Sequence, residues 1–230
     1  MTLDAAAWAA LALSLRVAVW ATLLGVPLSI WVAWLLARRD FRGKTLVSAL
    51  VHLPLVMPPV VTGYILLSLF SPAAPVGAAL ETVGITLAFK WTGAVLAAVV
   101  MGFPLMVRAM RLAFEAVDPR LEEAAATLGA SRAEVFLRVT LPLIAPGILA
   151  GAVMGFAKAM GEFGATITFV ANIPGETQTL PIAIWTALQI PGGEAQATAL
   201  ALLSCVVALG AVFASELLAR RVAARIGDRA

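Results

Sequence analysis

The chain alternates long apolar stretches with short charged ones. Five windows contain no Asp, Glu, Lys or Arg: Val17–Ala37, Thr45–Leu80, Trp91–Val107, Val139–Ala157 and Ala195–Ser215. A helix crosses a bilayer in about 20 residues, so each window approaches or exceeds the length of a span. The second is longer than one span, and its helix is expected to end near Phe70, before the turn at Pro72 and Pro75. The third is expected to continue past Arg108, whose side chain can reach the interface. The fourth is expected to run on through Lys158 and Glu162. Thr177–Pro191 is apolar but short, and Gln178, Pro181 and Gln189 interrupt it. It predicts an external or re-entrant helix rather than a sixth span.

Backbone polar groups in lipid must be paired within the chain, so such spans are helices. The charges cluster between windows instead of alternating along them, which argues against a barrel. The predicted fold is therefore an all-α integral membrane protein with about five transmembrane helices. Composition agrees: 62% of residues are hydrophobic, 13% are charged, and mean hydropathy is +0.99. That leaves too little polar surface for a soluble domain of this length.

The pI of about 9.6 does not point to nucleic acid, because the basic residues flank spans. Arg38, Arg39, Arg42 and Lys44 follow the first span. Arg108, Arg111, Arg120, Arg132 and Arg138 lie in the loop after the third, and Arg220, Arg221, Arg225 and Arg229 form the tail. Together these are 13 of the 16 Lys and Arg residues, on one face. That face is expected to be cytoplasmic, which puts the N-terminus outside and the C-terminus inside. A sixth span would move the basic tail outside. Arg16 and Lys90 are the exceptions among the opposite loops. Asp4 is the only charge before Arg16, so a cleaved signal peptide is not expected. The single Cys205 excludes an internal disulfide, and the single His52 makes no metal site alone.

The loop at 115–142 has its own helical grammar. Asp118-Pro119 reads as an N-cap followed by proline at the first helical position. Glu122 and Glu123 favour the positive end of the helix dipole. Val117, Leu121, Ala124, Ala125 and Leu128 form an apolar stripe, and Gly129 suits the left-handed residue after a helix. Ser131 and Glu134 form a capping box that starts a second helix, and Pro142 bends the chain into the fourth span. The element is a capped helical hairpin, suited either to packing on its own bundle or to insertion into a soluble partner.

Glu123-Ala124-Ala125, Gly129 and Val139-x-Leu141-Pro142 resemble the EAA loop of ABC-importer permeases. His52-Leu53-Pro54-Leu55-Val56-Met57-Pro58-Pro59, Phe103-Pro104-Leu105-Met106-Val107-Arg108, Gly161-Glu162-Phe163-Gly164-Ala165-Thr166 and Asn172-Ile173-Pro174-Gly175 resemble the permease subunit of the molybdate ABC importer. Sulfate and thiosulfate permeases share much of this pattern, and tungstate is a further alternative. The resemblance covers about 14–221 of a single permease domain, 1–230. It implies a type I ABC importer permease fold in the cytoplasmic membrane, working as a homodimer with two cytoplasmic ATPase subunits and an external oxyanion-binding protein. It assigns ATPase coupling to Glu122, Glu123, Ala124, Ala125, Leu128, Gly129 and Ala130. Asp118, Pro119, Ser131, Glu134, Leu141 and Pro142 would shape the loop. No cofactor is implied for this chain, and ATP would sit on the partner. Gly43-Lys44-Thr45 resembles the end of a P-loop, but Arg38 stands where its first glycine belongs.

Lys158 and Glu162 are spaced to pair on one helix face. About 1.5 Å per residue puts Lys158 roughly 28 Å above Val139, near the outer mouth. Two readings stand: an ion pair pinning helix depth, or, with Thr166, an outer gate that passes the anion. The hydroxyls of Thr62, Ser68, Thr166 and Thr168 serve either their own helices or the anion. Lys158–Glu162 is also the one feature that an ion-coupled secondary transporter would use.

Overall fold

The computed structural model describes residues 4–227, and all regular structure among them is helical. Helix α1 spans Ala5–Arg38, α2 Lys44–Val56, α3 Pro59–Phe70, α4 Pro75–Glu81 and α5 Trp91–Ala116. Helix α6 spans Pro119–Thr127 and α7 Arg132–Val135. A π-helical turn at Phe136–Thr140 joins α7 to α8, Leu141–Met160. Then come α9 (Gly164–Val170), α10 (Leu180–Leu188) and α11 (Glu194–Gly227). Arg229 of the basic tail lies outside the described residues.

Four helical runs are long and apolar enough to cross a bilayer: α1, α5, the run Arg132–Met160, and Glu194–Ala211 of α11. A bent α2–α3 pair makes a fifth. Helix α1 begins well before Val17, because the Asp4 carboxylate accepts from the Ala7 N–H at 2.8 Å and caps it. The charge of Arg16 does not interrupt α1, since its guanidinium lies 3.7 Å from the Trp91 ring centroid, a cation–π contact. Helix α5 continues past Arg108, as its apolar pattern predicts.

Two spans differ from the sequence expectation. The second is not one helix to Phe70: α2 and α3 meet at 112°. Pro58 and Pro59 remove consecutive N–H donors, and the residue before a proline is pushed out of the helical region. Met57 accordingly has φ −74° and ψ 146°. The fourth does not reach Glu162. Helix α8 stops at Met160 with Gly161 as its C-cap, and a new short helix starts at Gly164.

Helix α5 is the axis of the bundle, packed chiefly between α1 and α8. Gly147, Gly151 and Gly155 put one small residue per turn of α8 against α5. A β-carbon on Gly155 would stand 2.6 Å from the Met106 sulfur, and one on Gly147 would stand 2.2 Å from Ala113 Cβ. Such small-residue stripes let membrane helices approach closely. The core at the hairpin end groups Leu36, Met106, Met110, Phe114 and Ile144, and the core at the opposite end groups Ala18, Ala94, Phe169 and Val170. Helix α10 is too short to span. It lies against α1 and α11, and its Leu180 N–H donates to the buried Ser14 hydroxyl at 2.7 Å.

Candidate coupling hairpin and broken spans

The hairpin α6–α7 follows its local signals. The Asp118 side chain accepts from the Arg120 N–H at 3.0 Å. Gly129 has φ +90°, and the N–H groups of Gly129 and Ala130 donate to the carbonyls of Ala126 and Ala125 at 3.0 and 3.2 Å. That is a Schellman turn, in which the left-handed residue costs glycine little. At Ser131 the backbone N–H donates to Glu134 Oε2 at 2.9 Å, and the Glu134 N–H donates back to Ser131 Oγ at 3.3 Å. Glu134 stands ahead of the membrane-spanning part of its run. Its carboxyl is held below the usual carboxylate range by the Ser131 N–H first, then by the Ser131 hydroxyl and the Arg138 charge.

Glu122 does something the sequence did not reveal. Its Oε1 accepts from Thr140 Oγ1 at 2.6 Å and from Arg38 Nη2 at 3.3 Å. Arg38 Nη2 also donates to the Val117 carbonyl at 3.2 Å. One carboxylate thus joins the end of α1, the end of α5, the coupling hairpin and the π-turn that opens α8. Glu122 faces the bundle, where its side chain keeps 27% of its exposure. The family resemblance places Glu122 among the ATPase-coupling residues. Which way a first-turn side chain points depends on its tertiary partners, and local spacing does not contain them.

The opposite side of α6 is open. Glu123 and Ala124 are exposed, Leu121 is half exposed and Leu128 is 90% exposed. Val117 is buried and Ala125 partly so, so the predicted apolar stripe divides between bundle and solvent. Leu141 and Pro142 open α8 directly after the π-turn.

The two broken spans meet. Helix α3 packs on α9 so closely that a β-carbon on Gly63 would lie 2.5 Å from the Ala165 carbonyl oxygen. One on Gly164 would lie 2.7 Å from Pro59 Cβ. Glu162 bridges the gap between α8 and α9. Its Oε2 accepts from Lys158 Nζ at 2.5 Å, and its Oε1 accepts from the Ala165 N–H at 3.0 Å. The Glu162 side chain is 2% exposed and that of Lys158 28%. The pair therefore joins a helix end to the next helix start, and does not lie along one helix face. Thr166 is buried. Thr168 bonds the Gly164 carbonyl of its own helix, whereas the buried Thr62 hydroxyl has no partner.

Outside this region, Lys90 pairs with Glu176 at 2.5 Å. Asn172 accepts from Gln178 and donates to Thr186, both at 2.9 Å, which knits the loop before α10.

A helical bundle with two broken spans and a capped external hairpin defines a membrane permease, and comparison with known proteins agrees. The chain belongs to the family described as binding-protein-dependent transport system inner membrane component, which matches residues 25–224. It is a membrane-spanning transport component and not an enzyme. It is 54% identical over 221 residues to the molybdenum transport system permease protein ModB of Escherichia coli K12, covering 96% of each chain. It is 50% identical over 220 residues to the protein of the same name from Haemophilus influenzae, covering 95% of this chain and 96% of that one. A solved bacterial ABC transporter that imports alginate has the same fold, with TM-score 0.76 and 21% identity, over 95% of this chain and 80% of that one.

Proposed function

We propose that this chain is the permease subunit of a molybdate importer. Two copies enclose the pathway, an external binding protein delivers the anion, and a separate ATPase drives the cycle. The observation that carries the coupling role is the half-open hairpin. One face of α6 is tied to the bundle through Glu122, while Glu123, Ala124 and Leu128 face outward. Leu121 and Leu128, exposed and seven residues apart on this capped element, offer apolar contacts to a docking partner. A partner that grips this face moves α1 and α8 through the carboxylate of Glu122. The basic residues at that end of the bundle orient it to the cytoplasm, with the N-terminus outside.

The molybdate assignment rests on the 54% identity to the Escherichia coli permease across nearly the whole of both chains. Among the described residues no array of cations crosses the middle of the spans. That suits a permease that holds its anion weakly and leaves selection to the binding protein. A deletion strain grown on trace molybdate is expected to lose cellular molybdenum, and a large molybdate supplement is expected to restore it. Normal molybdenum together with a sulfur requirement would move the substrate to sulfate. The Lys158–Glu162 pair stands close to the α3–α9 contact, which makes Lys158 the cation best placed to meet an anion there. Lys158→Gln is expected to lower uptake at limiting substrate while the complex still assembles, and unchanged uptake would remove Lys158 from the pathway.

A further inference from the structure

A second charged feature lies between α2 and α5. Two adjoining hollows, of about 460 and 450 Å³, share Ser48, His52 and Arg111. Lys44 and Thr45 line one, and Arg108, Leu112 and Glu115 line the other. Each falls within the about 300–1,000 Å³ range of small-ligand sites.

The charges here are unevenly matched. Lys44 pairs with Asp40 at 2.9 Å, and Arg111 Nε with Glu115 at 2.7 Å. Arg108 has no acidic partner among the described residues. Glu115, the one carboxylate lining the two hollows, is thus engaged, which leaves the Arg108 guanidinium and the outer nitrogens of Arg111 for another anion. His52 Nδ1 lies 2.8 Å from the Ser48 carbonyl. A carbonyl only accepts, so Nδ1 donates, and Nε2 of the neutral ring is an acceptor that offers an anion no hydrogen bond.

Depth makes the arrangement informative. Arg108 and His52 each stand about 12 Å along their helices from the cytoplasmic ends at Ala116 and Lys44. Arg108 is exposed, and its long side chain can carry the guanidinium toward the interface, where it faces water or an anion. Helix α2 has no buried residue, so the cleft is open along its side.

We propose that this cleft binds a tetrahedral oxyanion, held by Arg108 and Arg111 with help from the hydroxyls of Thr45 and Ser48. Guanidinium groups match such oxygens in fork geometry. Two sources share that chemistry. One is a free oxyanion at the inner mouth, which rests on the transport reading. The other is the phosphate of an anionic lipid in the cytoplasmic leaflet.

The test measures binding rather than uptake, so its failure is distinct from failure of the transport reading. The complete transporter, permease with ATPase, is purified in neutral detergent as wild type, R108Q/R111Q and H52Q. One arm is equilibrium dialysis against sodium tungstate, with tungsten counted per complex. The other counts phosphatidylglycerol retained per complex after mixing with that lipid and washing. The double variant is expected to bind one of the two probes about tenfold more weakly, the effect of losing charge-assisted hydrogen bonds. H52Q leaves both arginines in place and is expected to bind both probes as the wild type does. Loss of tungsten alone assigns the site to the free anion. Loss of phosphatidylglycerol alone assigns it to lipid, and loss of both assigns it to either anion in competition. Equal binding of both probes by all three proteins, or no binding by the wild type, overturns the proposal.

Discussion

Glu122 holds the junction of three helices and a π-turn with one carboxylate, and its partners make its removal expensive. The Arg38 side chain is 17% exposed, and its Nε is already without a partner. Glu122→Ala takes the acceptor from the Thr140 hydroxyl and leaves Arg38 Nη2 only the Val117 carbonyl, which costs about 1–3 kcal/mol. The expected result is a lower melting temperature of the purified complex, with ATP hydrolysis less tightly linked to transport. A complex with unchanged melting and unchanged anion uptake per ATP would show that the contact does no mechanical work. Glu162 is the second such residue. Its partner Lys158 is 28% exposed, so removing Glu162 costs less than the about 3–5 kcal/mol of a fully buried pair. Glu162→Ala also strips the acceptor from the Ala165 N–H, so it should destabilise the protein more than Lys158→Gln does. Thermal unfolding of both variants in one detergent checks that order.

At the scale of elements, the hairpin is autonomous and the spans are not. Its caps involve residues within five positions of one another, so the sequence already contains Asp118, Gly129 and the Ser131–Glu134 box as one design. Gly129→Asp must place a side chain at φ +90°, at a cost of about 1–2 kcal/mol. It and Glu123→Arg are expected to leave membrane insertion intact and to reduce co-purification of the ATPase. Normal co-purification and uptake in both variants would contradict the docking role. The same locality explains what was not legible. Pro58-Pro59 was visible in the sequence, yet apolar content alone does not distinguish a span from a span bent by 112°. Glu162 stood at helical spacing from Lys158, but Gly161 ends the helix between them. The inward turn of Glu122 depends on Arg38 and Thr140, distant in the chain. The glycines at 147, 151 and 155 were legible through their four-residue spacing, although charge-free windows draw attention to length instead. Replacing Gly151 with Leu forces atoms where Met110 Cε lies 3.0 Å from a β-carbon. Overpacking of this kind costs about 1–3 kcal/mol, and lower yield of folded protein from detergent is the expected sign.

At the scale of the molecule, two features frame the bundle: the paired breaks where α3 meets α9, and the hairpin. Between them run α8, which starts at the Thr140 contact and ends at the Lys158–Glu162 bridge, and α5, packed against it. On the proposed reading, a push on α6 reaches the α8–α9 break through the Glu122–Thr140 contact, the π-turn and α8. Energetic coupling through packed elements with two arrangements is how such a displacement would reach a pathway. The central claim is that this geometry serves ATP-driven oxyanion import. The most direct measurement is molybdate uptake into proteoliposomes holding the permease and its ATPase, with binding protein outside and ATP inside. The account predicts uptake that needs both ATP and binding protein and is lost in Gly129→Asp. Uptake that persists without ATP, or that a proton gradient alone sustains, would contradict it.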